Sequence, residues 1–307
     1  GCTVPLDGAT ISGVNVQIRD GLKSPSADEY VLGVAGSLGS RGSYRADFVR
    51  REFHDYYDLR RDTTTGLVAN PINGQMLDLG LIVNNDAYRR EYTGLHTQFS
   101  YRAGERLNLG GNWTWSHLLG DLVGETANSG PVRGAAYTYP EYRDLKWSNP
   151  VGSLGSDTRH RVRVFATWDT PIPASWGSLS LNAVQSFDSG NPYGALGTVA
   201  SYPYVTDPGY ASRPSSVNYY FTARDAFKTD DVWRTDLSLY YGYRIGGAVE
   251  LFVAPQVLNL FNQQAVQVVR AEMLGLRRGV LPARIDAQHP HPEGGAQARR
   301  LRPDAAH

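Results

Sequence analysis

From Trp233 to Ile245 the side chains alternate in character. Trp233, Leu237, Leu239, Tyr241, Tyr243 and Ile245 share one parity, with Thr235 the one interruption, while Arg234, Asp236, Ser238, Tyr240, Gly242 and Arg244 share the other. A period of two specifies a β-strand. Two long antiparallel strands joined at Arg244-Ile245-Gly246-Gly247 account for residues 231–261. At about 3.3 Å per residue the first of them reaches ~40 Å, longer than the usual strand of a soluble domain.

The same pattern recurs through most of the chain. Val14, Val16 and Ile18 alternate with Asn15, Gln17 and Arg19, which predicts a first strand near 10–19. Tyr30, Leu32, Val34 and Leu38 predict a strand over 29–38; Tyr44, Ala46 and Phe48 begin another that runs on toward Tyr57. The clearest hairpin covers 88–118. On its second arm Leu107, Leu109, Trp113 and Trp115 oppose Asn108, Gly110, Asn112, Thr114 and Ser116. Further strands follow over 159–168 and 178–189. The connections are sorted: short links at 39–42, 103–106, 171–177 and 245–248 alternate with long ones at 61–85, 120–157 and 190–230. One end of the sheet therefore carries tight turns and the other long loops.

An aromatic and aliphatic face, backed by small, amide and charged residues, is the polarity of an outer-membrane barrel with a wet interior. Three arginines on one side of a strand, Arg159, Arg161 and Arg163, would each cost on the order of 2–4 kcal/mol in mid-bilayer. They are expected to face the lumen, with Arg234 and Asp236. The row is either a charged ladder that holds a plug or a self-paired solvated wall. Trp and Tyr near strand ends are expected in interfacial girdles.

Composition agrees with this picture and adds limits. Tyr 19 and Trp 6 against Met 2, with Gly 33, favour β-structure over helix. A formal net charge of +0 gives no electrostatic case for nucleic acid. No run of eighteen apolar residues marks a helical span, which leaves a barrel open because its apolar residues alternate. Cys2, the single cysteine, makes no internal disulfide. His54, His96, His117 and His160 lack metal-ligand spacing, no cofactor motif stands out, and no catalytic carboxylate pair can be selected. The sequon at Asn112 is discarded because it lies in a spanning strand. The long loops hold Tyr137, Tyr139, Tyr142, Trp147, Tyr202 and Tyr204, candidates for stacking on an extracellular ligand or for packing the loops together. After Phe261 aromatic residues cease, so 1–265 is assigned to a partial barrel domain and 266–307 to a disordered or non-native tail.

The stretch RTDLSLYYGYRIGGAVELFVAPQVLNLFN, ending at Asn259-Leu260-Phe261-Asn262, resembles the late barrel strands of TonB-dependent outer-membrane receptors. Asp157-Thr158-Arg159-His160-Arg161, and the Arg-rich strand pair near 29–60, look more particularly like their Oar-like branch. The expected fold is all-β: an antiparallel up-and-down transmembrane barrel with long extracellular loops, present as about nine spanning strands. The resemblance implies a full barrel of about 22 strands, an N-terminal plug, energy from the TonB complex, and import of a large or scarce ligand rather than enzymatic chemistry. It places the protein in the bacterial outer membrane, in contact with outer-membrane lipid. The alternatives are a non-transporting adhesin or surface receptor, and a secreted soluble β-protein that binds or cleaves glycans.

Overall fold

The computed structural model describes residues 14–122, 139–245, 249–273 and 283–288. Its dominant feature is an antiparallel sheet of ten strands. Eight of them form a continuous path: β1 (Ser26–Leu38), β2 (Gly42–His54), β3 (Arg90–Arg102), β4 (Leu107–Gly120), β5 (His160–Asp169), β6 (Ser178–Asp188), β7 (Val232–Ile245) and β8 (Val249–Val253). Each is hydrogen-bonded to the next in chain order, an up-and-down meander. Gly152–Ser153 pairs with the end of β4, and Gln256–Val257 with β7. Among the described residues β1 and β8 each lack a second long neighbour, so the sheet is open.

Register fixes the two faces, because a slip of one residue would exchange them. One transverse row runs Val34, Ala46, Thr97, Trp113, Val162, Phe187, Trp233. The adjacent row on the opposite face runs Ala35, Arg45, Gln98, Asn112, Arg163, Ser186, Arg234. Continued along the strands, the first face is aliphatic and aromatic and the second is polar and charged. Several apolar residues also stand on the polar face, among them Phe165 and Phe252, on the registers of Gly110 and Gly242, and Val31, Val49 and Val184.

Consecutive strands run in opposite directions, so every short connection falls at one end and every long connection at the other. The short turns use glycine where the backbone demands it. Gly104 (φ 91°) turns β3 into β4 in open space, whereas Gly177 (φ 90°) sits where a Cβ would lie 2.2 Å from the Gly242 carbonyl oxygen.

The long connections fold on themselves. After His54, Asp55 adopts a positive φ of 56° and the chain continues as Tyr56–Arg60, which pairs antiparallel with Gly80–Asn85. The strand expected over 10–19 is short within the described residues. Val16–Ile18 pairs parallel with Gly80–Asn85 in this small sheet and takes no part in the meander. Local alternation cannot distinguish the two placements. Leu67–Ala69 with Met76–Asp78, and Leu196–Ala200 with Ser216–Tyr220, add two hairpins. Beyond the meander, within the stretch expected to be disordered or non-native, Val268–Met273 pairs with Ala283–Gln288.

The location of the core is informative. The buried hydrophobic side chains of the described residues are Tyr56, Leu59, Val83, Tyr88, Leu122, Tyr139, Tyr142, Leu154 and Val217, all at the long-connection end. The apolar face of the meander has no such cover: Trp113 is 38% exposed and Leu237 39%. A water-soluble sheet buries one face against another layer, and an uncovered face of this extent exceeds the apolar patches of soluble monomers.

Candidate functional site

The long-connection end gathers the polar and aromatic residues best placed to meet a ligand, and a buried carboxylate organises it. Asp78, 4% exposed, accepts hydrogen bonds from Tyr139 Oη (2.9 Å), Ala211 N (2.8 Å) and Ser212 N (2.8 Å). Its donors come from the second and third long connections, so this residue of the first ties all three together. Buried charge persists where it is hydrogen-bonded in this way. Around it, Tyr139 packs edge-on to Tyr210 with ring centroids 4.7 Å apart and to Tyr142 at 6.3 Å. Burial, followed by the bond to Asp78, pushes the Tyr139 hydroxyl up to about 12. Burial likewise raises Tyr210, whose hydroxyl donates to Glu141 Oε2 at 2.6 Å.

A second knot lies beside β2 and β3. Tyr88 Oη (3.0 Å) and Asn85 Nδ2 (2.8 Å) donate to Asp58 Oδ2, while Arg143 Nη1 stands 3.7 Å from Asp58 Oδ1. The Arg143 guanidinium is buried, and that burial lowers its pKa against the opposing pull of Asp58. Tyr56, Tyr88 and Leu122 pack together below it.

Next to the Tyr139 cluster opens a hollow of about 650 Å³, within the usual size of a small-molecule site. Its apolar wall is made by Trp147, Tyr219, Phe221, Val199, Val205 and Val217, with Tyr204 at the edge. Trp147 stacks on Tyr219 at 5.8 Å and Tyr219 meets Phe221 at 5.0 Å. Val217, Tyr139 and Tyr142 form the buried cluster against which Trp147, Val199 and Val205 pack, so the wall has a rigid backing. Glu141 and Asp144 contribute carboxylates. Asp144 also caps the short helix Leu145–Ser148 by accepting from Lys146 N at 2.9 Å, which holds Trp147 in place.

The loop residues singled out from sequence therefore divide. Trp147 and Tyr204 line the hollow, and Tyr204 is 79% exposed. Tyr202 is exposed beneath the Arg213 guanidinium, 4.1 Å from its ring centroid. Tyr139 and Tyr142, at 5% and 1% exposure, are packed inside the cap. Tyr137 lies outside the described residues. Asp78, Glu141, Asp144 and Phe221 carry no distinguishing signal in the sequence. Turn-rich segments carry no periodicity, and the Asp78 partners lie up to 134 residues away.

On the polar face, register brings Arg161, Arg163, Arg234 and Asp236 to the same side, with Arg159 of matching parity just before β5. Each has an acidic or basic partner within the chain. Arg163 Nη2 lies 2.6 Å and Arg161 Nε 3.1 Å from the Asp188 carboxylate, Arg234 Nε lies 2.9 Å from Asp236, and Arg159 Nη2 2.8 Å from Asp157. Arg45 and Asp47 form a further pair at 2.6 Å. Asp236 also accepts from Asn259 N at 2.8 Å, which ties the segment after β8 to β7. Among the described residues no three His, Cys, Asp or Glu side chains converge as a metal site.

No protein-family model matches the sequence, and no curated relative matches it. Solved structures resemble the fold. The outer membrane transporter YddB from Escherichia coli matches with a TM-score of 0.51 at 14% identity, over 89% of this chain and 33% of YddB. The pyoverdine outer membrane receptor FpvA from Pseudomonas aeruginosa PAO1 matches with a TM-score of 0.42 at 11% identity, over 80% of this chain and 26% of FpvA. The chain thus spans about a third of the length of YddB. The likeness to YddB is one of fold: this meander corresponds to part of an outer-membrane transporter barrel.

Proposed function

We infer that the chain is a barrel segment of a TonB-dependent outer-membrane receptor that takes up a large or scarce ligand. The observation that carries this reading is the uncovered apolar face, with a polar, internally paired face behind it. On β7, Trp233 and Tyr243 stand ten residues apart on the apolar side, ~33 Å along the strand. At the barrel tilt of about 40° this projects to ~25 Å, the height of the lipid-facing band between aromatic girdles. Aliphatic Leu237 and Leu239 lie between them.

In this orientation the tight turns face the periplasm and the knotted long connections face outward, where the hollow beside Trp147 receives ligand. The arginine rows line a bore, and further strands continue the sheet from β1 and β8, since unpaired edges are not tolerated in lipid. The plug and the TonB complex enter through the resemblance of the β7–β8 hairpin to such receptors. No chemistry on the ligand is assigned. A soluble glycan-binding protein would need a second layer over Trp113 and Leu237.

Fractionation of cells that produce the full coding sequence tests the reading. Recovery in the outer membrane, with ligand accumulation lost when TonB is removed, is the expected result. Surface binding that does not depend on TonB would favour the adhesin alternative, and recovery as a detergent-free soluble protein would overturn the assignment.

A further inference from the structure

We propose that the hollow beside Trp147 binds an organic cation, a methylated or protonated ammonium group carried on an apolar body. The inference rests on reading the loop end as the ligand-receiving side and narrows the class of ligand it receives. Two independent features of the hollow point to a positive group. Its wall carries the aromatic rings of Trp147, Tyr204, Tyr219 and Phe221, whose negative π faces attract a desolvated cation within about 6 Å. Its charged lining residues, among those described, are the carboxylates Glu141 and Asp144, with no lysine or arginine to balance them. An anionic ligand would meet repulsion there and lose its water without compensation.

The surroundings keep the site in this state. Arg213 lies over Tyr202 and stands 3.5 Å from Asp207, Arg61 lies over the Tyr139 ring, and Lys146, beside Trp147 in the chain, is exposed and takes no part in the lining. Glu141 is fixed by the Tyr210 hydroxyl and Asp144 by the Lys146 amide, so both acceptors are positioned before a ligand arrives. Preorganised acceptors reduce the ordering cost of binding. The valine floor accommodates an apolar body behind the ammonium group, and a hollow of about 650 Å³ is larger than the cationic head alone requires.

Ligand-observed NMR on the detergent-solubilised full-length protein tests this with choline, with its neutral isostere in which tert-butyl replaces trimethylammonium, and with a carboxylate-ended analogue. Choline should bind about tenfold more tightly than the isostere, and the carboxylate should not bind. Trp147→Ala should abolish choline binding while Trp147→Phe, which keeps a π face and the fold, retains it within a few-fold. The pair Glu141→Gln and Asp144→Asn should narrow the preference for choline over the isostere, leaving the part that the aromatic rings supply. Equal binding of choline and isostere to the wild-type protein, preference for the carboxylate, or no choline signal at saturating concentration would overturn the proposal. Any of these with the protein still TonB-dependent in the outer membrane leaves the receptor reading intact, whereas choline binding by a protein absent from that membrane would overturn the receptor reading alone.

Discussion

Asp78 Oδ2 accepts a 2.9 Å hydrogen bond from Tyr139 Oη, joining two long connections through residues 61 apart in the chain. The same carboxylate holds the Ala211 and Ser212 amides, each at 2.8 Å. Hydrogen bonds to a charged group are each worth about 1.5–3 kcal/mol, and a buried donor left unpaired adds to the loss. Asp78→Ala should therefore loosen the cap by about 3 kcal/mol or more without disturbing the meander. Hydrogen exchange at Ala211 and Ser212 and proteolysis within 189–231 should both accelerate. Unchanged exchange at those amides would remove Asp78 from its organising role.

Base should open the same knot in a defined window. Tyr139 holds its proton to about 12 because burial and the Asp78 bond disfavour the phenolate, against an ordinary value of about 10 in the unfolded chain. A folded value above the unfolded one means that the stabilisation is complete below about pH 10 and is lost as pH rises toward about 12. Ultraviolet titration of tyrosinate should show a late class that ionises together with loss of the cap. Tyr139→Phe should shrink that class and blunt the base sensitivity. Simultaneous ionisation of all tyrosines near the ordinary value would contradict the burial described for Tyr139.

Two glycines in short turns should respond differently to the same substitution. Gly104→Ala meets open space and costs only the left-handed backbone conformation, about 1–2 kcal/mol. Gly177→Ala adds a Cβ 2.2 Å from the Gly242 carbonyl oxygen on top of that cost, so β6 must shift against β7. Denaturant unfolding in detergent should place Gly177→Ala below Gly104→Ala by at least about 1 kcal/mol. Equal midpoints would show that the turn yields freely.

The meander was legible in the sequence because its signal is local. Leu107 to Ser116 and Trp233 to Ile245 announce strand and face together, since parity alone decides which side a residue takes. Sorting of the links into short and long then gives the up-and-down order. The cap was not legible for the opposite reason. Its bonds run between turn-rich segments without periodicity, and aromatic side chains serve equally as core and as contact surface. Tyr142 and Tyr204 look alike in sequence, yet one is sealed behind Val217 and the other stands in the open. Val16–Ile18 shows the limit from the strand side: alternation gave a strand, while its partner in a side sheet depended on where Gly80–Asn85 folds back.

The claim that the aromatic and aliphatic face meets hydrocarbon can be tested most directly by lipid quenching. With Cys2 replaced by serine, single cysteines at Val164, Leu181 and Leu237, and at their polar-face neighbours Arg163, Asn182 and Ser238, would carry a fluorophore in vesicles of brominated-chain phospholipid. Strong quenching at 164, 181 and 237, with little at 163, 182 and 238, is the expected result. Equal quenching on both parities, or quenching confined to 163, 182 and 238, would contradict a lipid-facing apolar side.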